Sequence, residues 1–353
     1  MKLIALINKI LPYFKKPSDI SVFHNILVVS NTGLGDTLLS TPAIISLRRS
    51  FPTLNITFLI HKKMFPLFKD FVYVNDLEIY SPGFFNQIST VFKLRRRDID
   101  TIFLFHSNGP EDVFFSILSG AKNIFKMTDN LNHEYKKIFS NQPNIKCQHD
   151  IEKKLDLVRV FNPKVLFKKL VIPNGFYESF GFFKKNEEYI YIGFQIGAQE
   201  DYKIWPIKNF AYLANKLSKV STKFKFVLMG STIYERKLAE EFCCILENSE
   251  NIINLCGKSS IDELPSIIND LDLLVSNDTG TLHLAIALGK KTVSLFGPTS
   301  QNEFGPYQDY NIHQVINTGS PKFVKDRQKD FRKQNSMTNI NIDDVYYAIN
   351  RLI

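Results

Sequence analysis

The stretch Val275-Ser276-Asn277-Asp278-Thr279-Gly280-Thr281-Leu282-His283-Leu284-Ala285, running on to Leu295-Phe296-Gly297-Pro298-Thr299, decides how this chain is read. An apolar run from Leu271 to Val275 ends in a short polar turn, and an apolar-faced helix follows at once. Such a turn aims backbone N–H groups, a carboxylate and an imidazole toward one point, the usual place for an anionic ligand beside an open α/β sheet. A second turn of the same kind, Ser30-Asn31-Thr32-Gly33-Leu34-Gly35-Asp36, lies near the start. One strand–turn–helix site in each half predicts two Rossmann-like, doubly wound α/β domains facing each other across a cleft.

Working outward, buried-strand patterns at 25–30, 55–60, 72–79 and 101–106 alternate with helical periodicity at 36–50 and 85–97. The second half repeats this, with strands at 189–194, 224–229, 252–254, 271–276 and 292–296 and helices at 207–219, 233–246, 261–269 and 282–288. A Pro/Gly-bearing region, 162–185, reads as the crossing between the halves. The expected organisation is an amphipathic extension over 1–24, an acceptor-type domain over 25–170, a donor-type domain over 171–335 and a terminal helix over 336–353.

The chain has 353 residues, 44% hydrophobic and 22% charged, with 31 phenylalanines to fill two cores. Its formal charge of +9 calls for an acidic partner. Nucleic acid is not expected, because no zinc-finger spacing, RNP-like motif or long basic helix occurs. An anionic membrane surface or an acidic substrate is the better candidate. The N-terminal Leu3, Ile4, Ile7, Ile10, Leu11 and Phe14 recur at helical spacing beside Lys15-Lys16. That helix either lies on a membrane or packs on the protein itself. Four cysteines show neither metal-ligand nor disulfide spacing, which points to a reducing, cytoplasmic compartment, peripheral to the membrane's inner face if the helix binds there.

Each candidate residue has an ordinary structural role beside a chemical one. Asp36 and Asp278 can be helix N-caps, and Glu235 a first-turn acid favoured by the helix dipole. Gly33, Gly35 and Gly230 permit tight turns. Lys203, just past a strand end, suits a diphosphate as a point charge. Thr279 and Gly280 open a helix toward a ligand, with His283 four residues on from Thr279.

Taken in order, Gly33-Leu34-Gly35-Asp36 with Thr41-Pro42-Ala43, Leu47-Arg48-Arg49-Ser50-Phe51-Pro52, Lys203-Ile204-Trp205-Pro206, Gly230 with Glu235, Asn277-Asp278-Thr279-Gly280 with His283, and Leu295-Phe296-Gly297-Pro298-Thr299 make a set. The chain thereby resembles glycosyltransferase family 9, the lipopolysaccharide heptosyltransferases of GT-B fold, over nearly its whole length. The resemblance implies inverting transfer of heptose from ADP-heptose onto lipopolysaccharide core. It assigns Asp36 as general base, Lys203 to the donor phosphates and Glu235 to the ribose. Asp278, Thr279, Gly280 and His283 fall in the donor turn, and no metal or other cofactor is implied. Ser30-Asn31 and Ala198-Gln199 depart from the family pattern. Two other readings stand beside it: a sugar-nucleotide 2-epimerase on the same architecture, and a non-catalytic module for nucleotide sugars or a membrane surface.

Overall fold

A computed structural model describes residues 23–81, 83–106, 110–126, 139–140, 149–173, 181–319 and 336–353. The amphipathic stretch before residue 23, Cys147 and the basic run 322–333 lie outside the described residues. The chain divides into two compact units, 1–169 and 170–353.

In the first unit a parallel sheet has the order β3-β2-β1-β4-β5, from strands β1 (Asn25–Ser30), β2 (Asn55–His61), β3 (Asp76–Tyr80), β4 (Thr101–His106) and β5 (Asn123–Lys126). Helices α1 (Leu34–Ser50), α2 (Phe84–Arg96), α3 (Pro110–Leu118) and α4 (Asp150–Arg159) accompany it. β1 is apolar without alternation because both its faces are covered, the mark of a parallel sheet. Leu27 and Val29 face a core with Leu59, Ile102, Leu104 and Phe115. Aromatic packing supplies more of the interior: Phe103 stacks on Phe125 at 5.3 Å, and Phe161 meets both edge-on. The abundance of phenylalanine is spent here.

Helix α1 carries a proline at its middle, Pro42. Proline has no N–H, so the Leu38 carbonyl loses its helical partner. The Thr41 hydroxyl donates to that carbonyl at 2.7 Å, and Ser46 donates to the Pro42 carbonyl at 2.7 Å. The Thr-Pro pair is thus a local substitution of one donor for another, and the helix runs on for 17 residues.

The second unit has a six-stranded parallel sheet ordered β11-β10-β9-β6-β7-β8. Its strands are β6 (Ile190–Gln195), β7 (Phe224–Met229), β8 (Ile252–Asn254), β9 (Leu273–Asn277), β10 (Lys291–Phe296) and β11 (His313–Asn317). Helices α5 (Ile207–Val220), α6 (Ile233–Ile245), α7 (Leu264–Asp270) and α8 (Gly280–Ala287) join them. The terminal helix α9 (Ile342–Asn350) buries Val345, Ala348 and Ile349 in the same core as Phe194, Phe210 and Phe226.

Several elements differ from the sequence reading. The strand expected over 72–79 is confined to β3, because 72–73 form a turn. The helix expected from 261 starts at Leu264, with Pro265 in its first turn, where a missing N–H costs nothing. α3, β5, α4 and β11 lie where no element was read, β11 pairing among the described strands with β10 alone. Among the described residues no helix is long and apolar enough to cross a membrane.

Candidate functional site

Both sheets reverse their strand order at a switch point, between β1 and β4 in the first unit and between β6 and β9 in the second. Ligands of open α/β sheets bind beyond the carboxyl ends of the strands at such points. The sequence-derived candidates gather at these two places.

In the first unit, β1 runs into the turn at 31–33 and then into α1. Gly33 is the N-cap position and makes no side-chain cap; its φ of −88° and ψ of 177° are open to any residue. No left-handed backbone requires a glycine at Gly33, and an added Cβ would come no nearer than 3.9 Å to Asp36 Oδ2. Gly35 and Asp36 lie in the first turn of α1. The capping role weighed for Asp36 is not taken up. Its Oδ2 instead accepts a hydrogen bond from the Thr32 hydroxyl at 2.7 Å and lies 3.4 Å from Nε2 of His106, the last residue of β4. Oδ1 accepts no hydrogen bond from any described residue. The side chain is 27% exposed, so an incoming hydroxyl can reach it. Beneath it Asn31 donates to Asp112 at 2.7 Å, joining the ends of β1 and α3.

His106 was not singled out from the sequence, since a lone His at a strand end carries no signal without its neighbour. Burial pushes its imidazole below the ordinary value, against the upward pull of Asp36. Close by on α4, Asp150 and Lys154 form a buried ion pair. Burial alone would raise the Asp150 carboxyl, but Lys154 and its hydrogen bond hold it low.

In the second unit, Lys203 follows β6 and its Nζ is 3.0 Å from Oδ2 of Asp278, which follows β9. Asp278 does not cap α8 either; Thr279 occupies the cap position, without a side-chain bond to the helix. The Thr279 hydroxyl lies 3.3 Å from that of Ser276. Gly280 begins α8, and His283 on the same helix is buried.

Asn277, buried at 0% exposure, ties this corner together. Its Nδ2 donates to the carbonyls of Gln195 and Gly197 at 3.2 and 3.3 Å, and its Oδ1 accepts from the Trp205 N–H at 3.0 Å. Trp205, also fully buried, donates from its indole to the Ile340 carbonyl at 3.1 Å and packs edge-on against Phe210. The segment that bears Lys203 is thereby anchored on both flanks. Asn277 stood in the quoted sequence motif, but its role needed the partners to be seen.

Glu235 is committed to structure as well. With Thr232 it makes a capping box for α6: Oε2 accepts from the Ser231 and Thr232 N–H groups at 2.7 Å each, and Oε1 accepts from Gln195 at 3.3 Å. The glycines nearby make room for it. A Cβ on Gly197 would lie 1.9 Å from Oε1, and one on Gly230 would lie 2.7 Å from the Glu235 Cβ. Burial, then Glu235, push the Cys256 thiol up to about 12, so it stays protonated and unreactive.

The basic triplet 95–97 is partly used up inside the first unit. Arg97 pairs with Asp76 and Glu78 on β3, and Arg95 donates to the Leu118 carbonyl at the end of α3 at 2.7 Å. Among the described residues no group of three or more His, Cys, Asp or Glu side chains is placed to hold a metal ion.

Comparison with known proteins bears on the whole arrangement. The profile described as "Glycosyltransferase family 9 (heptosyltransferase)" matches residues 138–336, more than half of the chain. Lipooligosaccharide heptosyltransferase 2 of Campylobacter jejuni is 27% identical over 290 residues, covering 80% of this chain and 84% of that protein. A family 9 glycosyl transferase of Veillonella parvula superposes with a TM-score of 0.77 at 21% identity, covering 96% of this chain and 99% of the other. The ADP-heptose LPS heptosyltransferase II of E. coli superposes with a TM-score of 0.70 at 21% identity, covering 93% and 98%. At that identity the superpositions speak for the fold, which is the GT-B class of two doubly wound α/β units.

Proposed function

The chain belongs to glycosyltransferase family 9, and from that premise we propose that it is an inverting, metal-independent heptosyltransferase that moves heptose from ADP-heptose onto a lipopolysaccharide-core acceptor. Membership makes it a glycosyltransferase rather than an epimerase or a binding module. The donor, the acceptor and the residue roles are this reading's own.

One observation carries the reading. Asp36 stands at the switch point of the first sheet with one carboxylate oxygen held and the other accepting no hydrogen bond from any described residue. A general base needs that division, since it must keep its direction and still have a lone pair for the incoming proton. In the proposed step Oδ1 takes the acceptor's hydroxyl proton while the acceptor oxygen bonds to the anomeric carbon. The bond to the diphosphate breaks with its electron pair. A single displacement inverts the anomeric centre, and because the diphosphate leaves without a general acid it needs one carboxylate, not the pair used in glycoside hydrolysis.

A nucleoside diphosphate leaves readily if its growing charge is met by positive groups. Lys203 and the helix start at Thr279–Gly280 are suited to that task, and Glu235 is assigned to the ribose, with His283 behind the donor turn. Asp278 holds the Lys203 ammonium in place.

Asp36→Asn tests the reading with ADP-heptose, UDP-sugars and lipopolysaccharide-core acceptors, reading released nucleoside diphosphate. The expected result is ADP release only from ADP-heptose and only with acceptor, with turnover lost by on the order of 10²–10⁴-fold in the variant and ADP affinity kept. Retained turnover in Asp36→Asn would remove Asp36 from the base role, and acceptor-independent conversion of a donor would remove transfer itself.

A further inference from the structure

The reading of Asp36 as base leaves a neighbour unused. β4 lies beside β1, and its final residue, His106, places Nε2 3.4 Å from the same Asp36 oxygen that Thr32 holds. Two groups therefore face Oδ2 and no described residue donates to Oδ1. A carboxylate oxygen offers only lone pairs, so the imidazole tautomer with its proton on Nε2 is the favoured one there.

Resting on the Asp36 reading, we propose that His106 is a positioning residue for the catalytic carboxylate. In its neutral form it fixes Oδ2, so that Oδ1 meets the acceptor hydroxyl. In its protonated form it pairs with the carboxylate, lowers its basicity and slows the enzyme in acid. His106 neither gives nor takes a proton during turnover. The proton that Oδ1 removes from the acceptor passes to solvent once the nucleoside diphosphate has left.

The charged groups that act on His106 come from three elements. Asp36 on α1 and Asp150 on α4 favour its protonation, while Lys154 on α4 and Lys126 at the end of β5 oppose it. Asp150 and Lys154 are paired with each other, so together they bring little net charge to bear. Burial, the largest influence, sets the balance on the neutral side, below the ordinary 6.5. His106 is accordingly neutral at pH 7 and gains its proton only on the acid side of about 6.5.

The test uses the full chain, ADP-heptose and a core acceptor, with kcat and donor KM measured for His106→Gln and His106→Ala between about pH 8 and pH 5. Glutamine keeps an N–H that can face Oδ2 but cannot titrate. It should retain kcat within about threefold at pH 7 and lose the decline expected of the parent as the pH falls below about 6.5. Alanine should lower kcat by on the order of tenfold, from misdirection of the carboxylate, with donor KM unchanged. A parent-like kcat in His106→Ala, a His106→Gln profile that superposes on the parent's, or a change in KM alone each overturns the proposal. Should the alanine variant fail to fold, the glutamine pH profile decides. If Asp36→Asn is inactive while both His106 variants behave as the parent, this inference fails and the base assignment stands. If Asp36→Asn stays active, the base assignment fails first.

Discussion

The two switch points are built to opposite specifications. In the second unit Lys203 and Asp278 are in direct contact, and the segment between β6 and α5 is bolted to β9 through Asn277 and to the C-terminal region through Trp205. In the first unit Asp36 is fastened by one short hydrogen bond from its own turn and one longer approach from His106, and no described residue donates to its other oxygen. The difference follows from the tasks proposed for them. A diphosphate is held by fixed positive charge, which costs no reorganisation when it is pre-set. A base must leave an oxygen open, and its orientation must then come from the few contacts made by the other.

The strongest way to break this comparison is Lys203→Met, which keeps the length of the side chain and removes its charge. Loss of one pre-set electrostatic partner should lower kcat/KM by on the order of 10²–10³-fold and weaken ADP binding with it. The Asp278 carboxylate, 7% exposed, would lose its counter-charge beside the bound diphosphate, which deepens the loss. Steady-state kinetics with calorimetry of ADP binding checks both. Unchanged ADP affinity would move the diphosphate elsewhere.

Asn277→Ala sharpens the comparison from the side of stability. It leaves two carbonyls and one N–H without their partner in a fully buried corner, a loss of about 3 kcal/mol. Thermal unfolding should show it as a clear drop in Tm, with ADP affinity falling because Lys203 is no longer anchored. A variant with parent Tm and parent affinity would mean that the segment is held by Trp205 alone.

The parallel sheets were legible because most of their strands are buried on both faces and read as apolar runs; β1, β4 and β7 were read to their ends. Elements with weaker signals escaped. α4 begins Asp150-Ile151-Glu152-Lys153-Lys154, and its buried charged residues look like a solvated stretch until their pairing is seen. β11 is a short edge strand with polar positions in a region that reads as basic coil. At the sites, the sequence supplied residues that follow strand ends, but not their partners. That Asp36 and Asp278 are neither of them caps depends on contacts to Thr32, His106 and Lys203, and only the Thr32 contact is close enough in sequence to be guessed. Asn277 and His106 owe their places to strand order, which no local pattern encodes.

Thr32 offers the finest test of the looser site, because two effects oppose each other there. Thr32→Val keeps the shape and removes the hydroxyl that donates to Asp36 Oδ2. A carboxylate that loses a hydrogen bond is less stabilised as an anion and so becomes a stronger base, which by itself would speed proton removal. The same loss frees the carboxylate to turn, which slows the step by leaving fewer productive orientations. If orientation is what the first unit must supply, the second effect wins, and kcat should fall by roughly threefold to tenfold with donor KM unmoved. A rise in kcat would show that basicity limits the step and that the held oxygen matters little.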